Sequence, residues 1–223
     1  MHPRTRARLE ILGAAFLFST GGAAIKAAAF TSWQVAGLRS GVAAIAVWLL
    51  VPEARRLRAG SPRVTLLVSL AYAATLTLFV LANKLTTAAS TIFLQSTAPL
   101  YILLLGPVLL RERILRRDLG FMAVVAAGMM LFFVGRQASF ATAPDPLTGN
   151  VFAALSGVAY ACMLIGLRWM GTRGEAPAST VGLGNLLVFL WALPAALPLG
   201  QHPLRDWGVI VYLGVIQTGL AYS

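Results

Sequence analysis

The residues of this sequence that could do chemistry are polar side chains set inside long apolar stretches. Thr87, Thr91 and Gln95 recur every four residues, so all three share one face if their stretch is helical. Pro99 has no N–H to donate to the carbonyl of Gln95, and its ring crowds that oxygen, so the helix is expected to break there. Hydroxyl, amide and free carbonyl groups hold a solute by hydrogen bonds and carry no net charge. The pattern indicates reversible binding of a solute, and hydrogen bonding between neighbouring helices is the alternative role for each of these side chains.

Two other apolar stretches place aromatic rings and hydroxyl groups at helical spacing on one face. They are Tyr72, Thr75 and Phe79 in one stretch, and Ser156, Tyr160 and Met163 in another. Such a face suits a ligand with a flat apolar body and a polar end, because rings pack edge to face or offset while hydroxyls fix the orientation. Packing against a neighbouring helix is the alternative role for each of these side chains.

Charged residues are rare inside the apolar stretches. The acidic residues all fall at the ends of stretches or between them: Glu10, Glu53, Glu112, Asp118, Asp145, Glu175 and Asp206. A proton or cation path through a bilayer normally uses a carboxylate within it, so coupling through a buried carboxylate is disfavoured. Lys26 and Arg39 are the charges nearest the hydrocarbon. We expect Lys26 to extend to the outer interface and Arg39 to anchor neighbouring polar groups, and either could instead attract an anionic solute.

Covalent catalysis and metal chemistry lack their usual residues. The chain has one cysteine, Cys162, so it can form neither an intrachain disulfide framework nor a thiolate metal site. Its two histidines, His2 and His202, lie in a tail and a loop, away from any apolar stretch that could hold a serine or zinc centre. We therefore expect no enzymatic activity, no cofactor and no metal.

The elements that must position these residues are membrane helices. Hydrophobic residues make up 58% of the chain and charged residues 11%, whereas soluble domains are about 25% charged. Apolar runs of about 20 residues, enough to cross a bilayer, recur along the whole chain. The sequence therefore predicts an all-α polytopic membrane bundle of eight visible helices, at about 9–30, 33–51, 64–85, 87–110, 115–134, 149–170, 180–199 and 206–223.

The basic residues predict how the bundle is oriented. Most arginines lie in alternate connections, at 4–8, 55–63, 111–117 and 168–173, whereas the other connections hold Lys84, Arg136 and Arg205. Because lysine and arginine near helix ends are retained in the cytoplasm, this alternation predicts a cytoplasmic N-terminus. The same clustering between apolar runs argues that the net charge of +11 does not serve nucleic-acid binding. The lipid bilayer and a small solute are the expected partners.

The polar segment 137–148, with Pro144, Asp145 and Pro146, divides the chain into five helices and three. An odd number of helices before the divider means that a second copy of the first part would be inverted, which is a known plan for transporters. The last helix is still apolar at Ser223, so two further helices are expected beyond it.

One pattern resembles a known family. It consists of TTAAST at 86–91, Gln95, Pro99 and LLRER at 109–113, with supporting matches in GLR at 37–39 and YLG at 212–214. The pattern resembles the fourth helix of the EamA repeat of the drug/metabolite transporter superfamily, and the whole chain is most similar to YddG-type aromatic amino acid exporters. The resemblance implies ten helices in two inverted five-helix repeats around a central substrate cavity. In this chain the first repeat would span 1–136, the linker 137–148, and an incomplete second repeat of three helices 149–223.

The resemblance implies export or facilitated passage of aromatic and other neutral amino acids through a bacterial inner membrane by alternating access. Transport of anionic metabolites is one alternative, and a non-transporting scaffold or half-assembly is another. The candidate substrate-binding residues are Ser19, Tyr72, Thr75, Phe79, Thr91, Gln95, Ser156, Tyr160, Met163 and Gln217. The candidate structural or gating residues are Pro99, Arg39 and Lys26.

Overall fold

The fold is given by a computed structural model, which describes residues 3–55, 61–109, 115–134, 139–175 and 178–219. The helices are α1 Pro3–Ala27, α2 Ser32–Leu50, a 3₁₀ turn Pro52–Arg55, α3 Pro62–Leu85, α4 Ala88–Gln95, α5 Ala98–Leu109, α6 Arg116–Leu131, α7 Pro146–Thr172, α8 Ala178–Ala196, α9 Leu204–Val211 and a π-helix Tyr212–Gly219. The described residues form no strand beyond one isolated bridge between Phe140 and Ala143, so the predicted all-α class is confirmed.

Five stretches of the described residues are long and apolar enough to cross a bilayer: Ser32–Leu50, Pro62–Leu85, Ala88–Pro107, Pro146–Thr172 and Ala178–Ala196. They confirm a helical protein with several membrane passes. Helices α1, α6 and α9 occupy the other three predicted spans, and these three passes remain predictions. The start of the linker at 137, the basic segment 111–114 and the end of the predicted eighth helix at 220–223 lie outside the described residues.

Several helix starts follow from local hydrogen bonds. Thr31 caps α2: its hydroxyl accepts from Gln34 N at 3.2 Å, and Gln34 Oε1 accepts from Thr31 N at 3.0 Å. Asp145 caps α7 by accepting from Thr148 N at 3.2 Å. Thr87 caps α4 by accepting from Ser90 N at 3.0 Å, so this residue starts its helix and does not extend the polar face of Thr91 and Gln95.

The predicted helix at 87–110 is two helices. Helix α4 ends at Gln95 and α5 begins at Ala98, so the break that Pro99 predicts is confirmed. Gly157 of α7 faces this break, because a Cβ added there would lie 3.0 Å from the carbonyl oxygen of Leu94 and 3.4 Å from that of Gln95. The glycine therefore lets α7 approach the interrupted backbone directly.

The centre of the bundle is formed by α2, α3, α7 and α8. Helix α3 packs along both α7 and α8, and α2 packs along α8 and the π-helix. One apolar cluster lies around Ile25, Phe30 and Val188, and a second joins Tyr72 and Met163 to residues of α2 and α8. Helix α6 has no buried residue among those described, so it lies at the periphery.

Candidate functional site

A chain of hydrogen bonds between neutral groups joins α4, α7 and α3. Gln95 Nε2 donates to Ser156 Oγ at 2.8 Å, and Ser156 Oγ donates to the carbonyl of Thr75 at 3.2 Å. Ser156 is 0% exposed, whereas Gln95 is half-buried. We call Gln95, Ser156 and Thr75 the polar relay. The Thr75 hydroxyl itself donates to the carbonyl of Ala71 at 2.8 Å, so the backbone of Thr75 carries the contact to Ser156.

One turn before Thr75, α3 makes a second polar contact, with α8. Asn185 Nδ2 donates to Tyr72 Oη at 3.2 Å and to the carbonyl of Val181 at 2.9 Å. Asn185 is 1% exposed, and its Oδ1 has no hydrogen-bond partner among the described residues. Gly184 permits this contact, because a Cβ there would lie 2.6 Å from the ring of Tyr72. A buried acceptor without a donor is costly unless a ligand or water completes it.

Aromatic and thioether side chains lie beside these polar groups. Tyr160 and Met163 of α7 pack in the same apolar cluster as Tyr72, with Val68 and Val181. Tyr160 keeps part of its surface exposed, while Met163 is buried. On α7, Ser156 thus belongs to the relay, while Met163 lies in the apolar cluster that contains Tyr72 and Tyr160 packs against that cluster. Rings and hydroxyls converge here on the α3 side of α7.

The other candidate residues lie elsewhere. Phe79 packs against the separate cluster around Ile25 and Phe30. Thr91 is fully buried and donates to the carbonyl of Thr87 at 3.0 Å, within its own helix segment. The remaining two are on or beside α1. They are Ser19, which is exposed and donates to the carbonyl of Phe16 at 2.7 Å, and Gln217, which is buried against Gly21 with its Oε1 unpartnered among the described residues.

The lysines near the carboxyl ends of α1 and α3 each donate hydrogen bonds to carbonyls at the end of the other helix. Lys26 Nζ donates to the carbonyls of Asn83 at 2.6 Å, Thr86 at 2.8 Å and Thr142. Lys84 Nζ donates to the carbonyl of Ala28 at 2.6 Å. Each ammonium group thus lies at the carboxyl end of the other lysine's helix, where the helix dipole favours a cation. The extension of Lys26 to the outer interface stays a prediction; the carbonyls that hold it lie at the end of α3 and in the segment before α7.

Arg39 lies on the buried face of α2 and is 3% exposed. Its role as an anchor of neighbouring polar groups stays a prediction. The described acids stay at helix ends: Asp145 and Asp118 accept from backbone N–H groups at the starts of α7 and α6, and Asp206 accepts from Ala29 N at 3.2 Å. Within the described ranges, no group of three metal-ligating side chains converges.

Two features of this site were not predicted from the sequence. Asn185 was not a candidate, because a single asparagine in an apolar helix also serves ordinary helix packing. The partnership of Gln95 with Ser156 joins residues 61 positions apart, so only the packing of α4 on α7 reveals it. A useful signal for Asn185 would have been its small neighbour Gly184, which marks close approach of another helix.

Comparison with known proteins identifies a matching protein family. The sequence model of the EamA-like transporter family matches residues 6–134, which is more than half of the chain and includes α6 and most of α1 with everything between them. No curated protein matches the chain.

Proposed function

This chain belongs to the EamA-like transporter family, and we propose that it moves small neutral amphipathic solutes, with aromatic and other neutral amino acids as the first candidates. Membership establishes a multi-pass membrane transporter of small metabolites. The substrate class, the direction of export and the bacterial inner membrane as location are our proposals.

The observation that carries the proposal is the polar relay next to Tyr72 and Asn185. A neutral amino acid is a zwitterion, so its site must offer both donors and acceptors. Gln95 Nε2 and the Ser156 hydroxyl are donors that a carboxylate could take over, and Asn185 Oδ1 is a buried acceptor suited to an ammonium group. The partly exposed ring of Tyr160 offers apolar surface to an aromatic side chain, and the buried ring of Tyr72 belongs to the same cluster. No acidic side chain lies among these described groups, which favours a net-neutral ligand.

Two of the other candidate residues, Gln217 and Ser19, belong to the proposal as a second place where the solute is contacted. Gln217 and Ser19 lie on the α1 side of the bundle, and Gln217 Oε1 is a further buried acceptor without a partner among the described residues. Alternating access exposes one site in turn to each side of the membrane, so different residues contact the solute in different states.

Helix packing supports two inverted repeats, at 1–136 and 149–223, with a linker at 137–148. If α1, α2 and α3 correspond to α7, α8 and the segment formed by α9 with the π-helix, contacts between the two parts should occur in symmetric pairs. The contact of α3 with α7 corresponds to that of the π-helix with α1, and the contact of α3 with α8 corresponds to that of α2 with the π-helix. Both pairs occur, and α2 packs on α8, its own counterpart.

Uptake into proteoliposomes tests the substrate class. The full chain is reconstituted, and the initial uptake of labelled phenylalanine, tryptophan and threonine is compared with that of labelled glutamate and of an anionic sugar phosphate. We expect the neutral amino acids to enter faster than into protein-free liposomes, and the anions to enter at the protein-free rate. The proposal would be rejected if the neutral amino acids entered only at the protein-free rate. It would also be rejected if the anions entered faster than the neutral amino acids.

A further inference from the structure

A groove lies between α2 and α8, away from the polar relay. Its volume is about 440 Å³, and its lining is Ala44, Ile45, Trp48, Leu49, Ala54, Arg55, Gly182, Leu183 and Leu186. Both helices are long and apolar enough to span the bilayer. The side chains of Ile45, Trp48, Leu49 and Leu186 are exposed, so the groove opens on the outer surface of the bundle. In a membrane, this surface contacts lipid.

Among the described residues, the groove lining has one charged side chain, Arg55, and that side chain is held in place. Arg55 Nε donates to the carbonyl of Trp48 at 2.7 Å, and Arg55 Nη2 donates to that of Leu49 at 3.0 Å. The guanidinium group also lies 5.0 Å from the centre of the Trp48 ring. A guanidinium group has five N–H donors, so the exposed Arg55 can offer further donors to a phosphate while it caps α2. Arginine and tryptophan at a helix end are typical of the membrane interface.

Gly182 keeps the groove open. A Cβ at this position would lie 3.8 Å from Val47 and 3.9 Å from Ala54, which is ordinary van der Waals contact. Alanine would therefore fit without strain, whereas a leucine side chain would extend into the groove. The glycine provides a matched pair of substitutions that either spare or fill the space.

We propose that this groove binds an acyl chain of an anionic phospholipid, whose phosphate lies on Arg55. The volume lies within the range of about 300–1,000 Å³ found for small-molecule sites, and the apolar lining matches a hydrocarbon chain. No residue of the relay lines the groove, so a transported solute does not need it. Because α2 and α8 lie on either side of the 137–148 segment, the lipid contacts both parts of the chain.

Native mass spectrometry of the full chain tests this site. The protein is released from nanodiscs that contain equal amounts of phosphatidylglycerol and phosphatidylcholine with identical palmitoyl and oleoyl chains. We expect phosphatidylglycerol to be retained about fivefold more than phosphatidylcholine, which corresponds to the ~1 kcal/mol that one arginine contributes near an anionic lipid surface. Arg55→Gln should remove this preference. Arg63→Gln, which changes an exposed arginine at the same end of the bundle, should keep it.

The Gly182 variants test the groove itself. Gly182→Leu should lose retained lipid of both kinds, and Gly182→Ala should keep it. These variants leave Arg55 in place, so their result does not depend on the capping of α2. Equal lipid retention by Gly182→Leu and Gly182→Ala, or an unchanged preference in Arg55→Gln, would overturn the proposal. Displacement of the retained lipid by phenylalanine would also overturn it, because the groove would then be part of the solute path.

Discussion

Coupling between Gln95 and Ser156 is the most informative property of the relay, and a double-mutant cycle measures it. The perturbations are Gln95→Leu, Ser156→Ala and both together. The Gln95 Nε2 to Ser156 Oγ bond is 2.8 Å long and Ser156 is fully buried, but the half-buried Gln95 amide can regain some solvent when its partner is lost. Coupling energies of interhelical hydrogen bonds in membranes average ~0.6 kcal/mol and reach ~1.7 kcal/mol. We expect about 1 kcal/mol here, between those limits.

The assay is reversible unfolding of the purified chain in mixed micelles of a mild detergent and dodecyl sulfate, with the free energy of unfolding compared across the four proteins. The control cycle pairs Ser156→Ala with Thr172→Ala. Thr172 is exposed and donates to the carbonyl of Trp169 in its own helix, so the two changes should add within about 0.5 kcal/mol. A coupling between Gln95 and Ser156 no larger than that of the control pair would refute the relay.

Three further predictions follow from the packing of the helices. Lys26→Met should lower the free energy of unfolding by about 2 kcal/mol because it removes a charged donor from three carbonyls. Lys26→Arg should recover part of that loss. Equal melting of the unmodified chain and both variants would contradict the capping of α3 by Lys26. Gly184→Ala should lower the free energy of unfolding by about 1–3 kcal/mol because the added Cβ meets the Tyr72 ring, whereas Gly182→Ala should leave it nearly unchanged. Thermal unfolding of the two variants measures the difference. The orientation is tested by labelling single cysteines with an impermeant maleimide in a Cys162→Ala background. Arg63→Cys and Arg116→Cys should react only in inside-out vesicles, and His202→Cys only in right-side-out vesicles. Labelling of Arg63→Cys and Arg116→Cys from opposite faces would refute the proposed threading.

The helices could be predicted because their signals are local. Apolar runs bounded by charge and proline mark the spans. The caps Thr31 and Asp145 were not predicted, and α7 begins at Pro146, three residues before the predicted start at 149. The break at Pro99 follows from one missing N–H and one steric clash. The π-helix at Tyr212–Gly219 was not predicted, because a wider helical turn leaves the apolar pattern of a short segment almost unchanged.

The site could be predicted only in part. The types of residue on α3, α4 and α7 indicated neutral hydrogen bonding next to aromatic rings. Their pairing depends on which helices meet, and Tyr72 and Asn185 are 113 residues apart in sequence. Lys26 shows the same limit: the sequence alone does not identify the carbonyls that hold it, which come from the end of α3 and the segment before α7. Contacts between distant segments need the tertiary structure.

The central claim is that the neutral relay lines the route of a small neutral solute. The most direct test is the initial rate of labelled phenylalanine uptake into proteoliposomes containing the unmodified chain, Gln95→Leu or Thr172→Ala in equal amounts. If the Gln95 amide binds the solute carboxylate, Gln95→Leu should lower the apparent kcat/KM at least about tenfold while Thr172→Ala leaves it unchanged. Equal rates for all three proteins would contradict the claim.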